Sequence, residues 1–232
     1  MPLFYAPDIT AHPVLPEEES RHAIRVLRLK EGDEIALTDG KGFFYRAVIA
    51  RPHPEQCEVT ITERRQPAYQ PSFRVHIAIA PTKNTDRMEW FAEKATEIGI
   101  DGITFLNCRF SERREMKTAR LEKILVSAMK QSQKATLPKI TGMTPFQSFI
   151  KQPFAGRKFI AHCEDGEKRL LKQTYHAGEN ALILIGPEGD FSPEEIESSL
   201  QNGYTPISLG ESRLRTETAA LAACHTIHVL NQ

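Results

Sequence analysis

Apolar and polar residues alternate along the first quarter of the chain, with the period of two that is typical of half-buried β-strands. The stretches EIALTDG and KGFFYRAVIA, residues 34–50, predict a hairpin that turns at residues 39–42. LFYA, residues 3–6, and CEVTITE, residues 57–63, predict two further strands in the same region. The first part of the chain is therefore expected to form a small β structure.

A short helix is predicted between the first strand and the hairpin, because Ala23, Ile24 and Leu27 recur at helical spacing. We expect this helix to stop near Gly32. One helix among short strands predicts a compact β-barrel module. The segment ERRQPAYQPS, residues 63–72, contains two prolines and no apolar period, which indicates a linker after the module.

After the linker, strand-like and helix-like segments alternate along the chain. The predicted strands are residues 73–80, 102–107, 158–163, 181–186 and 205–210, and the predicted helices are residues 85–98, 118–134, 193–202 and 217–230. This alternation predicts an α/β domain around a largely parallel sheet. In such sheets, ligands bind outside the carboxyl ends of the strands.

Length and composition indicate an ordinary globular protein. The 232 residues suffice for two domains, which we place at residues 1–68 and 73–232. The net charge is zero, so the total charge selects no partner. The four cysteines lack metal-site spacing, so we expect reduced thiols, no bound metal and a cytoplasmic location. The amino terminus does not resemble a signal peptide, and no apolar run approaches the roughly 20 residues that cross a bilayer, so we expect no membrane association.

Three loops that follow predicted strands are candidates for ligand binding: HCEDGE, GPEGDFS and LGESRLRTE. In the second loop, Ser192, Pro193 and Glu195 form a capping box that specifies where the next helix begins. Gly186 and Gly189 are not explained by that cap. Glycine permits positive φ and close backbone approach, so the pair indicates either a tight structural turn or a ligand lying on exposed backbone.

The class of ligand is limited by motifs and by charge. The chain has neither a GxGxxG nor a GxxxxGK[ST] motif, which excludes the usual dinucleotide and P-loop sites. Glu188, Asp190, Glu194 and Glu195 crowd the second loop and would repel a polyphosphate. A neutral or cationic ligand with an adenine or ribose group fits this loop better.

The third loop places Arg213 and Arg215 at the start of a helix rich in alanine, beside Glu217. The alanines suit either a plain buried helix or close approach of backbone to a ligand. Four other side chains with metal-binding or nucleophilic potential are interpreted as packed, surface or structural groups: His162, Cys163, His225 and His228.

Several motifs in order along the chain point to one known family. LILIGPEGDFSPEEI at 182–196 is followed by LGESRLRTETA at 209–219. Before them come HAIRVLRLKEGDEIALTDGKG at 22–42, KNTDRMEWFAEKATEIG at 83–99 and AMKQSQKATLP at 128–138. Together these segments, which span nearly the whole chain, resemble the RsmE-type 16S ribosomal RNA methyltransferases.

The resemblance implies a SPOUT-class α/β fold, in which a PUA-like RNA-binding β-barrel precedes a trefoil-knotted parallel-sheet domain. It also implies a homodimer that uses S-adenosyl methionine to methylate ring nitrogen 3 of a uridine in 16S ribosomal RNA of the small ribosomal subunit. The implied cofactor contacts are Ala161, Ile185, Gly186, Glu188, Gly189, Leu209, Gly210 and Leu214.

Arg215 and Glu217 are the expected catalytic residues. Arg215 is expected to stabilise the negative charge that spreads over the uracil carbonyl oxygens when the ring nitrogen loses its proton. Glu217 is adjacent but is a poor acid–base match to that nitrogen, so the base stays open and Glu217 is expected to orient Arg215.

The chain departs from the family pattern at three places. It has Gly189-Asp190-Phe191 where Gly-Gly-Phe is common, and Glu211-Ser212 where Pro-Arg is common. Lys134 stands where the family usually has arginine, which weakens a bidentate contact because lysine is a point charge.

Two basic segments favour RNA over a small-molecule substrate. Residues 109–139 hold nine basic and three acidic residues, a local balance of +6, and residues 21–30 hold four basic residues and no acid. Solvated helix faces would explain either segment alone, but one in each predicted domain favours RNA. The candidate RNA contacts are Arg21, His22, Arg25, Arg28, Lys83, Arg87, Arg113, Gln131 and Lys134.

Two other functions stay open on the sequence. The order of strand, turn and helix also suits a small-molecule methyltransferase or a nucleotide-sugar enzyme, although these have no obvious use for a basic barrel domain. A non-catalytic ribosome-assembly factor that binds RNA is the second alternative.

Overall fold

The computed structural model describes all residues 1–232 and divides them into two compact units. The first unit holds residues 1–70 and 126–137, and the second holds residues 71–125 and 138–232. None of the helices combines the length and apolar character that a membrane span requires.

A four-stranded sheet in the order β1-β2-β3-β4 forms the first unit. The strands are β1 (Leu3–Tyr5), β2 (Glu34–Thr38), β3 (Phe44–Arg51) and β4 (Glu58–Arg65). β1 runs parallel to β2, while β2 and β3 form the predicted antiparallel hairpin, to which β4 adds. The Asp39 carboxylate fixes the hairpin turn, because it accepts hydrogen bonds from the amides of Lys41 (2.8 Å) and Phe43 (3.1 Å).

The helix of the first unit is shorter than the sequence indicates. Helix α1 (Glu17–Arg21) continues as a single π-helical turn, His22–Val26. Arg28 then adopts the left-handed conformation, with φ of 57°. The predicted end near Gly32 is therefore wrong, and Leu27, which we expected on the apolar face, is exposed.

Residues 126–137 are tied to the first unit by polar contacts. The Lys130 ammonium lies 2.6 and 2.9 Å from the two carboxylate oxygens of Glu19. The same carboxylate accepts a hydrogen bond from the Tyr5 amide at 3.2 Å. The Thr38 hydroxyl donates to the carbonyl oxygen of Ala135 at 3.3 Å.

A seven-stranded sheet, parallel throughout, forms the second unit in the order β7-β6-β5-β10-β8-β11-β9. Its strands are β5 (Val75–Ile79), β6 (Gly102–Asn107), β7 (Lys139–Pro145), β8 (Arg157–Ala161), β9 (Arg169–Leu170), β10 (Ala181–Ile185) and β11 (Thr205–Ser208). The five predicted strands are all present, whereas β7 and β9 were not predicted. The expectation of a largely parallel sheet is confirmed.

Helices cover both faces of this sheet, as an all-parallel sheet requires. They are α2 (Thr85–Ile98), α3 (Thr118–Gln131, which ends within the first unit), α4 (Phe146–Phe149), α5 (Leu171–Thr174), α6 (Pro193–Gln201) and α7 (Thr216–Val229). On one face, α7 packs against β5 and β10, and α2 packs against α7. On the other face, Leu182 and Leu184 of β10 join a core with Phe146 of α4 and Ile196 of α6.

Several predicted boundaries are wrong by a few residues, and two of them bear on the division into units. β4 continues to Arg65, which pairs with Phe44, so the linker begins later than residue 63. The helix predicted over residues 118–134 ends at Gln131, because Gln133 adopts a left-handed φ of 53°.

Candidate functional site

Three loops lie side by side at the carboxyl ends of neighbouring strands in the second unit's sheet. Ala161 at the end of β8 pairs with Ile185 of β10 on one side and with Ile207 of β11 on the other. Because all three strands are parallel, their following loops leave the sheet together and enclose a hollow of about 330 Å³. The residues that line it are Arg87, Ala161, Cys163, Ile185, Gly186, Pro187, Glu188, Asp190, Arg213, Leu214, Arg215, Thr216 and Ala219.

The Gly-Pro-Glu-Gly turn uses its glycines for close contact rather than for unusual backbone angles. A Cβ atom on Gly186 would lie 3.2 Å from the amide nitrogen of Phe191 and 3.1 Å from its ring. A Cβ atom on Gly189 would lie 3.3 Å from Cβ of Phe110. The left-handed residue of this turn is Asp190, with φ of 66°.

The predicted capping box at the start of α6 is confirmed. The Ser192 hydroxyl accepts a hydrogen bond from the Glu195 amide at 3.3 Å, and the Glu195 carboxylate accepts one from the Ser192 amide at 2.9 Å. The second oxygen of Glu195 accepts a hydrogen bond from the Arg109 amide at 2.9 Å. The box therefore holds the end of the glycine turn and also fixes the loop after β6.

Two acidic side chains line the hollow, and their hydrogen bonds connect the loops that form its wall. The Glu188 carboxylate accepts a hydrogen bond from the Lys83 amide at 3.2 Å. The Asp190 carboxylate accepts one from the Cys163 amide at 2.6 Å and one from the Phe191 amide at 2.8 Å. Negative charge at this wall suits a cationic ligand, as the sequence predicted.

Three arginines, Arg87, Arg213 and Arg215, also line the hollow. Arg215 directly precedes α7, is exposed, and its side chain forms no hydrogen bond or ion pair. Glu217, on the first turn of α7, is only 6% exposed. Its Oε1 lies 3.8 Å from Nε of Arg87, and its Oε2 is buried without a hydrogen-bond partner. We expected Glu217 to orient Arg215, but in the structure Glu217 pairs with Arg87 instead.

His162 lies between two residues that line the hollow, Ala161 and Cys163. Burial lowers the pKa of its imidazole, and the nearby positive charge of Lys168 lowers it further. A lowered pKa favours the neutral imidazole, and His162 itself does not line the hollow.

The predicted cofactor residues divide into two groups. Ala161, Ile185, Gly186, Glu188 and Leu214 line the hollow. Gly189, Leu209 and Gly210 do not line it, but they belong to the same two loops, and their contacts stay predictions. Sequence reasoning missed Cys163, Thr216 and Ala219, and it assigned Arg87 to RNA alone. The position of Cys163 two residues beyond the end of β8 is the signal that could have placed it in this wall.

The predicted RNA contacts lie in both units. In the first unit, Arg25 and Arg28 are exposed, and Arg21 pairs with Glu17. His22 and Gln131 are exposed, and Lys134 is half-buried. In the second unit, Lys83 lies 3.3 Å from a carboxylate oxygen of Glu112.

Arg113 has a local structural contact that its sequence position did not reveal. Its guanidinium donates to the carbonyl oxygens of Thr82 (3.2 Å) and Lys83 (2.6 Å). Both acceptors belong to the loop that precedes α2, so Arg113 anchors this loop and has fewer donors left for RNA. Its role as an RNA contact stays a prediction.

Comparison with protein families gives two matches that together cover most of the chain. The RNA methyltransferase domain family matches residues 69–228, and the RNA methyltransferase PUA domain family matches residues 15–62. The Ribosomal RNA small subunit methyltransferase E of Rickettsia conorii is 30% identical over 88% of this chain and 84% of that protein. The protein of the same name from Bacillus subtilis is 27% identical over 90% of this chain and 87% of that protein.

Solved structures agree over the full length. A probable rRNA-methyltransferase from Porphyromonas gingivalis is 48% identical, with a TM-score of 0.94, and the match covers 100% of this chain and 98% of that one. A Ribosomal RNA small subunit methyltransferase E from Neisseria gonorrhoeae, solved bound to S-adenosyl methionine, is 26% identical with a TM-score of 0.87. That match also covers 100% of this chain and 98% of the other.

Proposed function

The chain belongs to the RNA methyltransferase family that includes the small subunit methyltransferases E, and we propose that it transfers a methyl group from S-adenosyl methionine to 16S ribosomal RNA. The convergence of three strand-end loops on one hollow carries this proposal. The family excludes the small-molecule and nucleotide-sugar alternatives. It also favours an enzyme over a non-catalytic assembly factor, because the relatives are named methyltransferases and one of them is solved with the methyl donor.

The residues of the hollow fit S-adenosyl methionine. Ala161, Ile185, Leu214 and Ala219 give the apolar surface that an adenine ring needs, and Gly186 adds exposed backbone to the same hollow. Glu188 and Asp190 supply negative charge for a ligand whose sulfonium and amino groups are positive. When bound, S-adenosyl methionine supplies a methyl group that is already activated by its sulfonium charge.

Arg215 is the residue that we propose to act on the substrate base. Arg215 lines the hollow and is exposed, and its side chain forms no hydrogen bond or ion pair, so its guanidinium is free to face a developing anion. A uridine ring nitrogen 3 that gives up its proton spreads negative charge onto the two ring carbonyl oxygens. A positioned cation stabilises that charge and typically contributes a factor of about 10²–10³ to the rate.

Glu217 acts in this proposal as a positioning residue through Arg87. Its buried carboxylate holds the guanidinium of Arg87 at 3.8 Å, at the side of the hollow formed by α2 and α7. A carboxylate in the first turn of a helix is also favoured by the helix dipole. Arg87 is thereby held where it lines the hollow.

The first unit supplies the RNA-binding surface in this proposal. Arg25 and Arg28 are exposed on the segment that follows α1, within the region matched by the PUA domain family. Phosphate contacts of such side chains position RNA without reading its sequence. A target uridine must leave its base stack to reach the methyl donor.

A homodimer, a trefoil knot and a cytoplasmic location complete the proposal. The first two rest on the family resemblance, and the third rests on the pattern of the cysteines. Sedimentation of the purified protein tests the dimer, for which a mass of twice 26.2 kDa is expected.

The substrate is tested by incubating the protein with labelled S-adenosyl methionine and small ribosomal subunits that lack this methylation. We expect label on one uridine of 16S RNA, retained on nitrogen 3 after digestion to nucleosides. Label on another base or on protein would contradict the proposed reaction.

The role of Arg215 is tested by Arg215→Ala, with Arg74→Ala as the matched control. Arg74 directly precedes β5, so it lies at the amino-terminal ends of the strands, whereas the hollow lies at their carboxyl ends. We expect Arg215→Ala to lower the rate at saturating cofactor by about 10²-fold or more while the calorimetric affinity for S-adenosyl methionine is kept. A wild-type rate in Arg215→Ala with cofactor binding intact would exclude this role.

A further inference from the structure

Asp190 stands at an unusual position in the wall of the hollow. Its φ of 66° lies in the left-handed region, which most residues other than glycine avoid and aspartate tolerates better than most. Its amide donates to the Pro187 carbonyl oxygen at 3.0 Å, which closes the glycine turn. This geometry directs the carboxylate back over two neighbouring amides.

The carboxylate of Asp190 bridges two loops of the hollow. One oxygen accepts from the Phe191 amide at 2.8 Å, in its own turn. The other accepts from the Cys163 amide at 2.6 Å, in the loop after β8. Such charge-assisted hydrogen bonds are about twice as strong as neutral ones.

The loop after β8 has little else to hold it. Among residues 163–167, the Cys163 amide makes the one hydrogen bond to another segment of the chain. The remaining bond, from the Lys168 ammonium to the Glu164 carbonyl oxygen, stays within the loop. Residues 163–167 are exposed, so burial does not fix them either.

We propose that Asp190 is a positioning residue that sets the shape of the cofactor hollow. Its carboxylate holds the β8 loop against the glycine turn through the hydrogen bond from the Cys163 amide, and we call this contact the latch. The inference rests on the proposed function for the identity of the ligand, but the latch itself is a property of the protein alone. With the latch closed, Cys163 and Asp190 form one continuous wall of the hollow. Without it, the loop opens and the wall is lost.

The thiol of Cys163 offers a direct readout of the latch. Cys163 is exposed, while Cys57, Cys108 and Cys224 are buried, so a small thiol reagent such as Ellman's reagent reports on Cys163 in the folded protein. Cys163→Ser should abolish the fast reaction and thereby identifies the signal. No cofactor or RNA is needed for this measurement.

The variants are Asp190→Gly and Asp190→Asn. Glycine adopts the same left-handed φ without strain and removes both hydrogen bonds. Asparagine also tolerates this φ, and its single amide oxygen can replace one carboxylate acceptor. Asp165→Asn is the matched control, because it removes one negative charge from the same loop and Asp165 makes no side-chain hydrogen bond.

We expect the thiol reaction to be several-fold faster in Asp190→Gly than in the wild type, intermediate in Asp190→Asn and unchanged in Asp165→Asn. The dissociation constant for S-adenosyl methionine should rise about tenfold in Asp190→Gly, the size of effect expected from loss of the bond to the Cys163 amide, which is the one that joins the two loops. Its Michaelis constant for S-adenosyl methionine should rise in parallel with the dissociation constant.

Equal thiol rates in the wild type and Asp190→Gly would overturn the latch, and so would a control variant that reacts as fast as Asp190→Gly. If Asp190→Gly does not fold, Asp190→Asn decides by the same comparison with the wild type. A wild-type protein that binds no S-adenosyl methionine would overturn the proposed function instead, while the thiol rates would still decide the latch.

Discussion

Gly186 lines the hollow and packs closely against Phe191 behind it. Its φ is not in the left-handed region, so an alanine there would meet no backbone strain. The added Cβ would, however, lie 3.1 Å from the ring and 3.2 Å from the amide nitrogen of Phe191, which is fully buried. Phe191 cannot move away cheaply because it is packed in the core of the second unit.

Gly186→Ala should therefore lower the free energy of unfolding by about 1–3 kcal/mol, as overpacking does, and weaken binding of S-adenosyl methionine. Denaturant unfolding and calorimetry measure the two effects. Gly142→Ala is the control, since its added Cβ would find Thr118 at an ordinary 3.8 Å. Equal behaviour of the two variants would show that the contact with Phe191 is not limiting.

His76 leads to a prediction of how the stability of the protein depends on pH. Burial of its ring lowers its pKa from 6.5 to about 4, with the positive charge of Lys139 as a second cause. Between these values the unfolded chain binds a proton that the folded chain does not, so stability falls as the pH is lowered from about 6.5 to 4. The loss attributable to His76 is on the order of 3 kcal/mol.

His76→Gln tests this cause, because glutamine is uncharged and can keep a hydrogen bond to Thr104, whose hydroxyl lies 2.9 Å from Nε2 of His76. We expect the difference in stability between variant and wild type to change across this pH range, measured by urea unfolding at several pH values. A constant difference would mean that His76 takes up its proton equally well in both states.

At the residue scale, the sequence predicted the local part of the site. Ser192 and Glu195 are three residues apart, and their cap follows from short-range geometry alone. The sequence predicted Arg215 as the partner of Glu217, but in the structure the partner is Arg87. Arg87 lies on a different helix, so this contact depends on how α2 packs against α7. The bond from Cys163 to Asp190 was missed for the same reason, since its two ends are 27 residues apart.

At the element scale, the start of α6 connects local sequence to the site, because its cap also ends the glycine turn. Ser192→Ala should lower the free energy of unfolding by about 1 kcal/mol. For a chain of this size, that corresponds to about 2–4 °C in melting temperature. Calorimetry or fluorescence melting measures the shift.

Ser198→Ala, in the same helix, is the control for this cap. Its hydroxyl reaches only the exposed amide of Gln147, so we expect a shift smaller than that of Ser192→Ala. If the two serines prove equivalent, the cap is not what stabilises the helix start.

The elements that the sequence predicted are those with a strong apolar period. β5, β6 and β10 are almost wholly buried, and α2 begins and ends at the predicted residues. β7 escaped prediction because KITGMTP is half-buried along most of its length and shows neither alternation nor a continuous apolar run. β9 has two residues and α4 and α5 have four each, which is too short for a periodic signal.

At the scale of the whole molecule, the sequence could not show that residues 126–137 belong to the first unit. The contact that ties them there joins Lys130 to Glu19, which are 111 residues apart in the chain. Periodicity predicts that residues 118–131 form a helix, but it does not tell to which core each end of the helix contributes. The predicted domains at 1–68 and 73–232 were drawn as continuous segments for that reason.

The distribution of charge over the molecule leads to the last prediction. With a net charge of zero, the protein has no overall attraction for RNA, so affinity must come from local phosphate contacts. Each such contact releases counterions and contributes about 0.7–0.9 to the slope of log affinity against log salt. Arg25 is exposed in the basic segment of the first unit and has no acidic partner, so its side chain is available for a phosphate.

Arg25→Ala should therefore weaken binding of 16S RNA fragments and lower the magnitude of the salt slope by about one. Arg51→Ala, on β3 of the same unit, is the control, since Arg51 is already paired with Glu58 and should leave the slope unchanged. Filter binding at several salt concentrations measures both. A loss of affinity in Arg25→Ala with an unchanged slope would mean that Arg25 supports the fold of the basic segment, because only a phosphate contact couples the affinity to salt.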